Sequence, residues 1–126
     1  MSRYQFRVEV KPSFLPEQSS AEQGVWSFAY AITITNTGEV AAQLVSRHWV
    51  ITDATGHVEE VKGLGVVGHQ PLLQPGQSFE YASGCRLRTP NGQMHGTYFC
   101  VAEDGERFDV EIAPFHLDDG AKRVLH

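Results

Sequence analysis

Apolar and polar residues alternate with a period of two along most of this chain, and turn-forming residues interrupt the pattern at short intervals. The first run carries an apolar residue at every second position, namely Tyr4, Phe6, Val8 and Val10. A longer run has the same spacing, at Trp26, Phe28, Tyr30, Ile32 and Ile34. Because successive side chains of a strand point to opposite faces, this spacing predicts strands with one buried face. No window longer than about ten residues keeps a helical period without glycine or proline, so we expect little helix.

Turn signals divide the rest of the chain into further short strands. Residues Ala41 to Asp53 have high strand propensity, and Val58 to Val61 is predicted as a short return strand. Asn91-Gly92 and Asp104-Gly105 are typical of tight hairpin turns. The chain, residues 1–126, is therefore predicted to be a single domain of seven or eight antiparallel strands. An all-β sandwich is the first choice and a small barrel the second, with a polar tail from Asp118 to His126 that frays.

Prolines and charged residues indicate where strands end and which strands are at sheet edges. Pro12 and Pro16 punctuate a polar stretch, residues 13–23, that is predicted to be a long connection. Lys11 and Pro12 are typical of residues that protect an edge strand. The charged residues Glu59, Glu60 and Lys62 have the same character, so we expect the strands that carry these two groups at sheet edges.

Composition and charge exclude several classes of function. The net charge of -5 and the pI near 5.6 argue against a nucleic-acid binder that relies on bulk positive charge. The N-terminal residues show no signal-peptide core, and the longest mostly apolar stretch, Val25 to Ile34, is too short to cross a bilayer. We therefore expect a cytoplasmic protein with no membrane partner. In that reducing compartment Cys85 and Cys100 are expected as free thiols rather than a disulfide.

The string from Gly63 to Gly68 has the spacing G-x-G-x-x-G. In dinucleotide-binding folds this spacing joins a strand to a helix whose N-terminal amides hold a pyrophosphate. Here Pro71 and Pro75 follow too closely for a helix, and no acidic residue lies about twenty positions further on. The string is therefore interpreted as a connection between sheets, with Val66 and Val67 packing inward. The alternative is an anion site formed by successive backbone amides, which needs no helix.

No set of side chains has the spacing of a catalytic or metal site. The six histidines show neither strand nor helix pairing, and His69 and His95 could meet only through the fold. A nucleophile motif is absent, and the adjacent carboxylates Glu59 and Glu60 point to opposite strand faces. We therefore predict no enzyme activity, no metal and no cofactor.

Arg47 and Trp49 form the one pair of residues with recognition chemistry. On a strand they share a face, and together they suit a carboxylate, a phosphate or a peptide. The alternative is that Trp49 anchors the core while the Arg47 side chain lies over it. Both interpretations are open at the level of sequence.

Taken together, these strings resemble the ApaG family, also called CorD. The resemblance runs through nearly the whole chain and includes residues 34–38, 47–49, 61–71, 73–76, 79–81 and 94–98. It implies an immunoglobulin- or fibronectin type III-like β-sandwich and, for bacterial members, a link to cobalt resistance and magnesium efflux. It also implies a protein-interaction role, as for the same domain in F-box proteins and in a protein that binds a DNA polymerase subunit. The glycine motif of the family, for which a nucleotide or pyrophosphate role has been proposed, matches Gly63, Gly65 and Gly68.

The prediction from sequence is thus a small non-enzymatic β-sandwich that binds another protein. The predicted contact surface is an exposed strand edge or the glycine string with His69, and Arg47 with Trp49 is a further candidate surface. Edge pairing also allows a second copy as partner, which would give a homodimer. The alternative function is binding of a small anion, pyrophosphate or a nucleotide, by Gly63, Gly65 and Gly68, with or without a divalent cation.

Overall fold

The computed structural model describes residues 3–121 and contains eight β-strands in two antiparallel sheets. The strands are β1 (Phe6–Phe14), β2 (Trp26–Asn36), β3 (Ala42–Asp53), β4 (Val58–Leu64), β5 (Leu72–Leu73), β6 (Ser78–Leu87), β7 (Asn91–Ala102) and β8 (Arg107–Asp118). Within this range the only helical element is one 3₁₀ turn, Pro16–Gln18. The predicted all-β sandwich with seven or eight strands is confirmed. Of the tail that is predicted to fray, residues 122–126 lie outside the described residues.

The two sheets pack face to face and share one core. The smaller sheet has the order β1-β2-β6, and the larger has the order β4-β3-β7-β8 with β5 paired to β3. Strands β1 and β4 each pair with a single neighbour and are therefore edge strands. Their proline and charged residues predicted this position. Strand β1 runs on through Pro12 to Phe14, where the sequence predicted a connection, because an edge strand tolerates the missing amide of proline. No helix in the described range is long and apolar enough to cross a membrane.

One extra residue in β3, Val45, changes which side chains of that strand face the core. Leu44 pairs with Cys100 of β7, and Ser46 pairs with the adjacent residue Phe99. Val45 therefore has no partner on β7 and forms a β-bulge. Before the bulge the even-numbered residues are buried, and after it the odd-numbered ones are. The bulge therefore places Arg47, opposite the buried Tyr98, on the inner face of the larger sheet.

The dipeptide Asn91-Gly92 does not form the predicted hairpin. Strand β6 pairs with β2 and strand β7 pairs with β3 and β8, so the chain passes from one sheet to the other at this point. Gly92 is needed for another reason, because a Cβ there would lie 2.6 Å from the carbonyl oxygen of Thr52. The second predicted hairpin, at Asp104-Gly105, is confirmed between β7 and β8, and Gly105 has a φ of 91°.

The side chain of Asn36 connects the two sheets at one end of the sandwich. Asn36 ends β2 of the smaller sheet and is 1% exposed. Its Nδ2 donates to the carbonyl oxygens of Val40 at 3.0 Å and of Leu73, in the larger sheet, at 2.9 Å. Its Oδ1 accepts the Gly38 amide at 2.9 Å. A buried amide of this kind is stabilising because each of its polar atoms has a partner.

We expect Asn36→Ala to lower the free energy of unfolding by about 2–4 kcal/mol, because it leaves two carbonyls and one amide without their partner. Urea denaturation followed by tryptophan fluorescence measures this change. Thr37→Ala in the same turn is the control, since its hydroxyl makes only an exposed 3.4 Å bond to Gln5. It should cost less than about 1 kcal/mol. Equal losses for the two variants would contradict the role assigned to Asn36.

Candidate functional site

The glycine string forms the end of β4 and a tight turn that follows it. Val66 and His69 exchange both backbone hydrogen bonds, with N–O distances of 2.7 and 3.0 Å. The two central residues, Val67 and Gly68, have φ values of 49° and 80°, the pattern of a type I′ turn. Strand β5 follows the turn, so the helix of a dinucleotide-binding fold does not follow this string, as Pro71 and Pro75 predicted. The prediction that the string connects the two sheets is wrong, because β4 and β5 both pair with β3 of the larger sheet. Residues 65–70 are called the glycine hairpin below.

The two valines of the hairpin have different environments. Val66 is fully buried in the core, as predicted. Val67 is 57% exposed, so the prediction that it packs inward is wrong. It lies at the tip of a two-residue turn, which points away from the sheets. A β-branched residue at positive φ is strained by about 1–3 kcal/mol, and nothing in the core compensates for that strain at Val67.

Three of the six backbone amides of the hairpin, those of Gly65, Val66 and His69, donate hydrogen bonds within the protein. The Gly65 amide donates to the Val45 carbonyl of the bulge at 2.8 Å, and Gln70 Nε2 donates to the same oxygen at 2.9 Å. The amides of Val66 and His69 donate to each other's carbonyls. An anion cradle needs successive amides that converge on one point, and these amides face protein acceptors instead.

Each glycine of the string has a local structural role. A Cβ at Gly65, where φ is 62°, would collide with the carbonyl oxygen of His69. A Cβ at Gly63 would lie 2.8 Å from Nη1 of Arg47. Gly68 has open space around it and supplies the positive φ of the turn. The fourth predicted residue of this region, His69, packs its ring against Phe79 of β6, with centroids 5.5 Å apart.

Arg47 and Trp49 lie on the same face of β3, as the sequence predicted, and the structure shows that this face is the inner one. Trp49 is 3% exposed and packs against the rings of Tyr30, Tyr98 and Phe115 at centroid distances of 5.4 to 6.4 Å. It therefore has the core-packing role that the sequence left open. Arg47 Nη1 donates to the carbonyl oxygens of Leu64 and Gly65, both at 3.0 Å, and holds the hairpin against β3.

His69 and His95 lie at different places in the fold. His69 packs against the smaller sheet, whereas His95 pairs in register with Val50 on the larger sheet. His48 Nε2 lies 2.8 Å from Glu60 Oε1, an exposed pair between β3 and β4 that sequence spacing did not reveal. In residues 3–121 no group of three or more histidine, cysteine, aspartate or glutamate side chains could hold a metal ion.

A cleft of about 460 Å³ opens between the edges of β4 and β6. Its lining includes Tyr30, Arg47, Trp49, Glu59, Ser83 and Cys85, which come from both sheets. Burial raises the pKa of the Cys85 thiol to about 11, and the thiol donates to Met94 Sδ at 3.7 Å. Burial also raises the pKa of Tyr30, and the positive charge of Arg47 opposes that shift. The lining residues lie on four strands, so no spacing along the sequence could have predicted this cleft.

The exposed large hydrophobic side chains of the described chain all lie between residues 58 and 72. They are Val58, Leu64, Val67 and Leu72, which are 54 to 74% exposed. Leu64 pairs with Ser46 and Leu72 pairs with Gln43, so both belong to the same edge of the larger sheet, on either side of the glycine hairpin. These four side chains are called the apolar rim below.

Comparisons with known proteins agree on one family. A family model described as the ApaG domain matches residues 16–102. The chain is 65% identical to "Protein ApaG" of Acidovorax sp. (strain JS42) and 62% identical to "Protein ApaG" of Ralstonia nicotianae, in both cases over the full length of each chain. The crystal structure of an ApaA protein from Bordetella pertussis superposes with a TM-score of 0.93 at 54% identity, over 96% of this chain and 98% of that one.

We expect Gly65→Ala to destabilise the protein by about 2 kcal/mol or more, because the new Cβ is strained by the positive φ and also collides with the His69 carbonyl. The matched control is Gly68→Ala, which introduces the same positive-φ strain into open space and should cost about 1 kcal/mol. Urea denaturation of the two variants measures the difference. If Gly68→Ala costs as much as Gly65→Ala, the packing role of Gly65 is wrong.

The raised pKa of Cys85 predicts slow alkylation that accelerates steadily with pH. Since a thiol with a pKa of about 11 is almost fully protonated at pH 8, its rate with iodoacetamide should rise about tenfold per pH unit up to pH 10. The rate for N-acetylcysteine should instead level off near its ordinary pKa of about 8.5. Mass spectrometry of the folded protein follows the reaction, and Cys85→Ser should abolish it. A plateau at pH 9 in the protein would contradict the assignment.

Proposed function

The chain belongs to the ApaG domain family, and we propose that it is a non-enzymatic module that binds another protein through the apolar rim. One observation carries this proposal: the exposed large hydrophobic side chains of the described chain are concentrated in one segment, from β4 through the glycine hairpin to β5. Scattered exposed hydrophobic residues need no explanation, whereas a group of them along one sheet edge is typical of an interaction surface.

The conformation of Val67 supports the proposal. An exposed β-branched side chain at positive φ costs stability and makes no contribution to the core. Backbone strain of this kind persists at positions where a function needs it. A partner that buries Val67 and Leu64 would gain about 1.5–3 kcal/mol for each side chain that becomes fully buried.

Charged residues on the same strand give the surface selectivity. Glu60 and Lys62 share the outer face of β4 with Leu64. Glu60 pairs with Val50 and Lys62 pairs with His48, and both partners are neighbours in sequence of the inward-facing Trp49. Apolar side chains beside charges of both signs are typical of an interface that discriminates between partners by charge complementarity. We therefore expect a partner with a hydrophobic patch flanked by charged residues.

The remaining expectations follow from this function. We propose that the protein acts in the cytoplasm. A second copy of the chain could also bind as a partner, through the sheet edge that carries the apolar rim. The link of the family to cobalt resistance and magnesium efflux would then operate through the bound protein. Anion binding by the glycine hairpin is not proposed, because the amides of Gly65, Val66 and His69 already donate to protein carbonyls.

The test is affinity capture from an extract of the source cells, with and without magnesium, using the native sequence, Leu64→Ser and Val67→Asn. Val67→Asn creates the Asn-Gly pair that favours a type I′ turn, so we expect it to stabilise the fold by about 1 kcal/mol. It should nevertheless reduce capture of the partner, as should Leu64→Ser. The control is Lys11→Ser on the opposite edge strand β1, which should retain the partner. A partner captured equally by all variants would contradict the proposal.

A further inference from the structure

We propose that the cleft between β4 and β6 binds a carboxylate attached to an apolar body, with the Arg47 guanidinium as the group that holds the carboxylate. Occupancy of this cleft is independent of protein binding at the apolar rim. The cleft is lined by inward-facing residues such as Trp49 and Cys85, whereas Leu64 of the rim lies on the outer face of β4.

Among residues 3–121, the charge of Arg47 has no partner of opposite sign. In residues 3–121 the ion pairs are Arg3–Glu39, Arg7–Glu9, His48–Glu60 and Arg88–Asp53, so no described carboxylate lies within 4.0 Å of Arg47. Its Nη1 is engaged by two backbone carbonyls, which carry no net charge. Arg47 lines the cleft, and no buried side-chain nitrogen in this range lacks a hydrogen-bond partner, so any guanidinium donor without a protein partner is exposed to solvent. A planar guanidinium held in place on one side and open on the other is suited to a carboxylate.

The other lining residues define the rest of the ligand. Trp49, Ile51 and Val61 form an apolar wall, and the hydroxyls of Tyr30 and Ser83 add polar groups. The volume of about 460 Å³ is within the range of small-molecule sites, roughly 300–1,000 Å³. An aromatic or branched aliphatic group of a few carbon atoms can therefore accompany the carboxylate into the cleft.

The balance of charge favours a single negative charge. Two arginines, Arg47 and Arg86, and one acid, Glu59, line the cleft. Neither Arg86 nor Glu59 takes part in an ion pair among the described residues. One carboxylate neutralises the net positive charge of this lining, whereas a phosphate group, which carries nearly two negative charges at neutral pH, would leave an excess of negative charge in the cleft. A carboxylate of an apolar small acid and the terminal carboxylate of a peptide offer the same chemistry.

The test is an NMR titration of the folded protein with 3-phenylpropionate and with its neutral analogue, 3-phenylpropanamide. We expect the acid to shift the Trp49 indole signal and the amides of residues 83–86 saturably. The neutral amide should bind about tenfold more weakly or worse, because it lacks the charge that pairs with Arg47. N-acetyl-Ala-Phe, compared with its C-terminal amide, repeats the experiment for a peptide source, and the tighter of the two acids identifies the source.

Variants assign the effect to Arg47. Arg47→Gln should weaken binding of the acid about tenfold or more, and Arg47→Lys should retain part of it. The exposed Arg7→Gln is the matched control and should leave the affinity unchanged, as should Leu64→Ser on the apolar rim. If Arg47→Gln does not fold, because it releases the hairpin carbonyls, Arg86→Gln at the same cleft and the comparison of acid with amide still decide the question.

Three results would overturn the proposal. Equal affinities for acid and amide would show that no charge is recognised. Tighter saturable binding of inorganic phosphate than of either acid would show the wrong ligand class. The third result is that the NMR shifts fail to saturate for both acids up to about 10 mM. Binding would then be weaker than about 3 kcal/mol, and the cleft would not be a binding site.

Discussion

The β-bulge at Val45 positions both surfaces that we assign to function. Its extra residue moves Arg47 and Trp49 to the inner face of β3, and its carbonyl oxygen accepts hydrogen bonds from Gly65 and Gln70. In return, Arg47 donates to the carbonyls of Leu64 and Gly65. Bulge, arginine and glycine hairpin therefore stabilise one another, and without the extra residue the Arg47 guanidinium would point to solvent on the outer face.

The apolar rim and the cleft, the two binding surfaces that we propose, lie on opposite faces of β4. The outer face of β4 carries Leu64 of the apolar rim, and its inner face carries Glu59 and Val61 at the wall of the cleft. The two occupants that we propose, a hydrophobic partner and a charged ligand, would therefore contact different faces of β4. The same hairpin contributes to both sites, since Val67 extends the rim while the carbonyl of Gly65 holds Arg47 in position.

Much of the fold could be predicted because its signals are local. Alternation of apolar residues predicted β1 and β2, strand propensity predicted β3, charged residues predicted the edge position of β4, and Asp104-Gly105 predicted a hairpin. The same local reasoning was wrong at Asn91-Gly92, because a turn signal cannot tell whether the next strand stays in the same sheet. It was also wrong at Val67, because an apolar residue usually packs inward and its exposure depends on the geometry of a two-residue turn.

The sequence by itself determined the all-β class, the family and the shared strand face of Arg47 and Trp49, since alternation and turn chemistry are properties of neighbouring residues. Only the tertiary structure decided that Trp49 is buried in the core, that Asn36 joins the two sheets and that Arg47 lacks a carboxylate partner in the described chain. Burial and charge pairing depend on residues that are far apart in sequence. The pairing of β3 with β7, and the bulge that shifts it, brings those residues together.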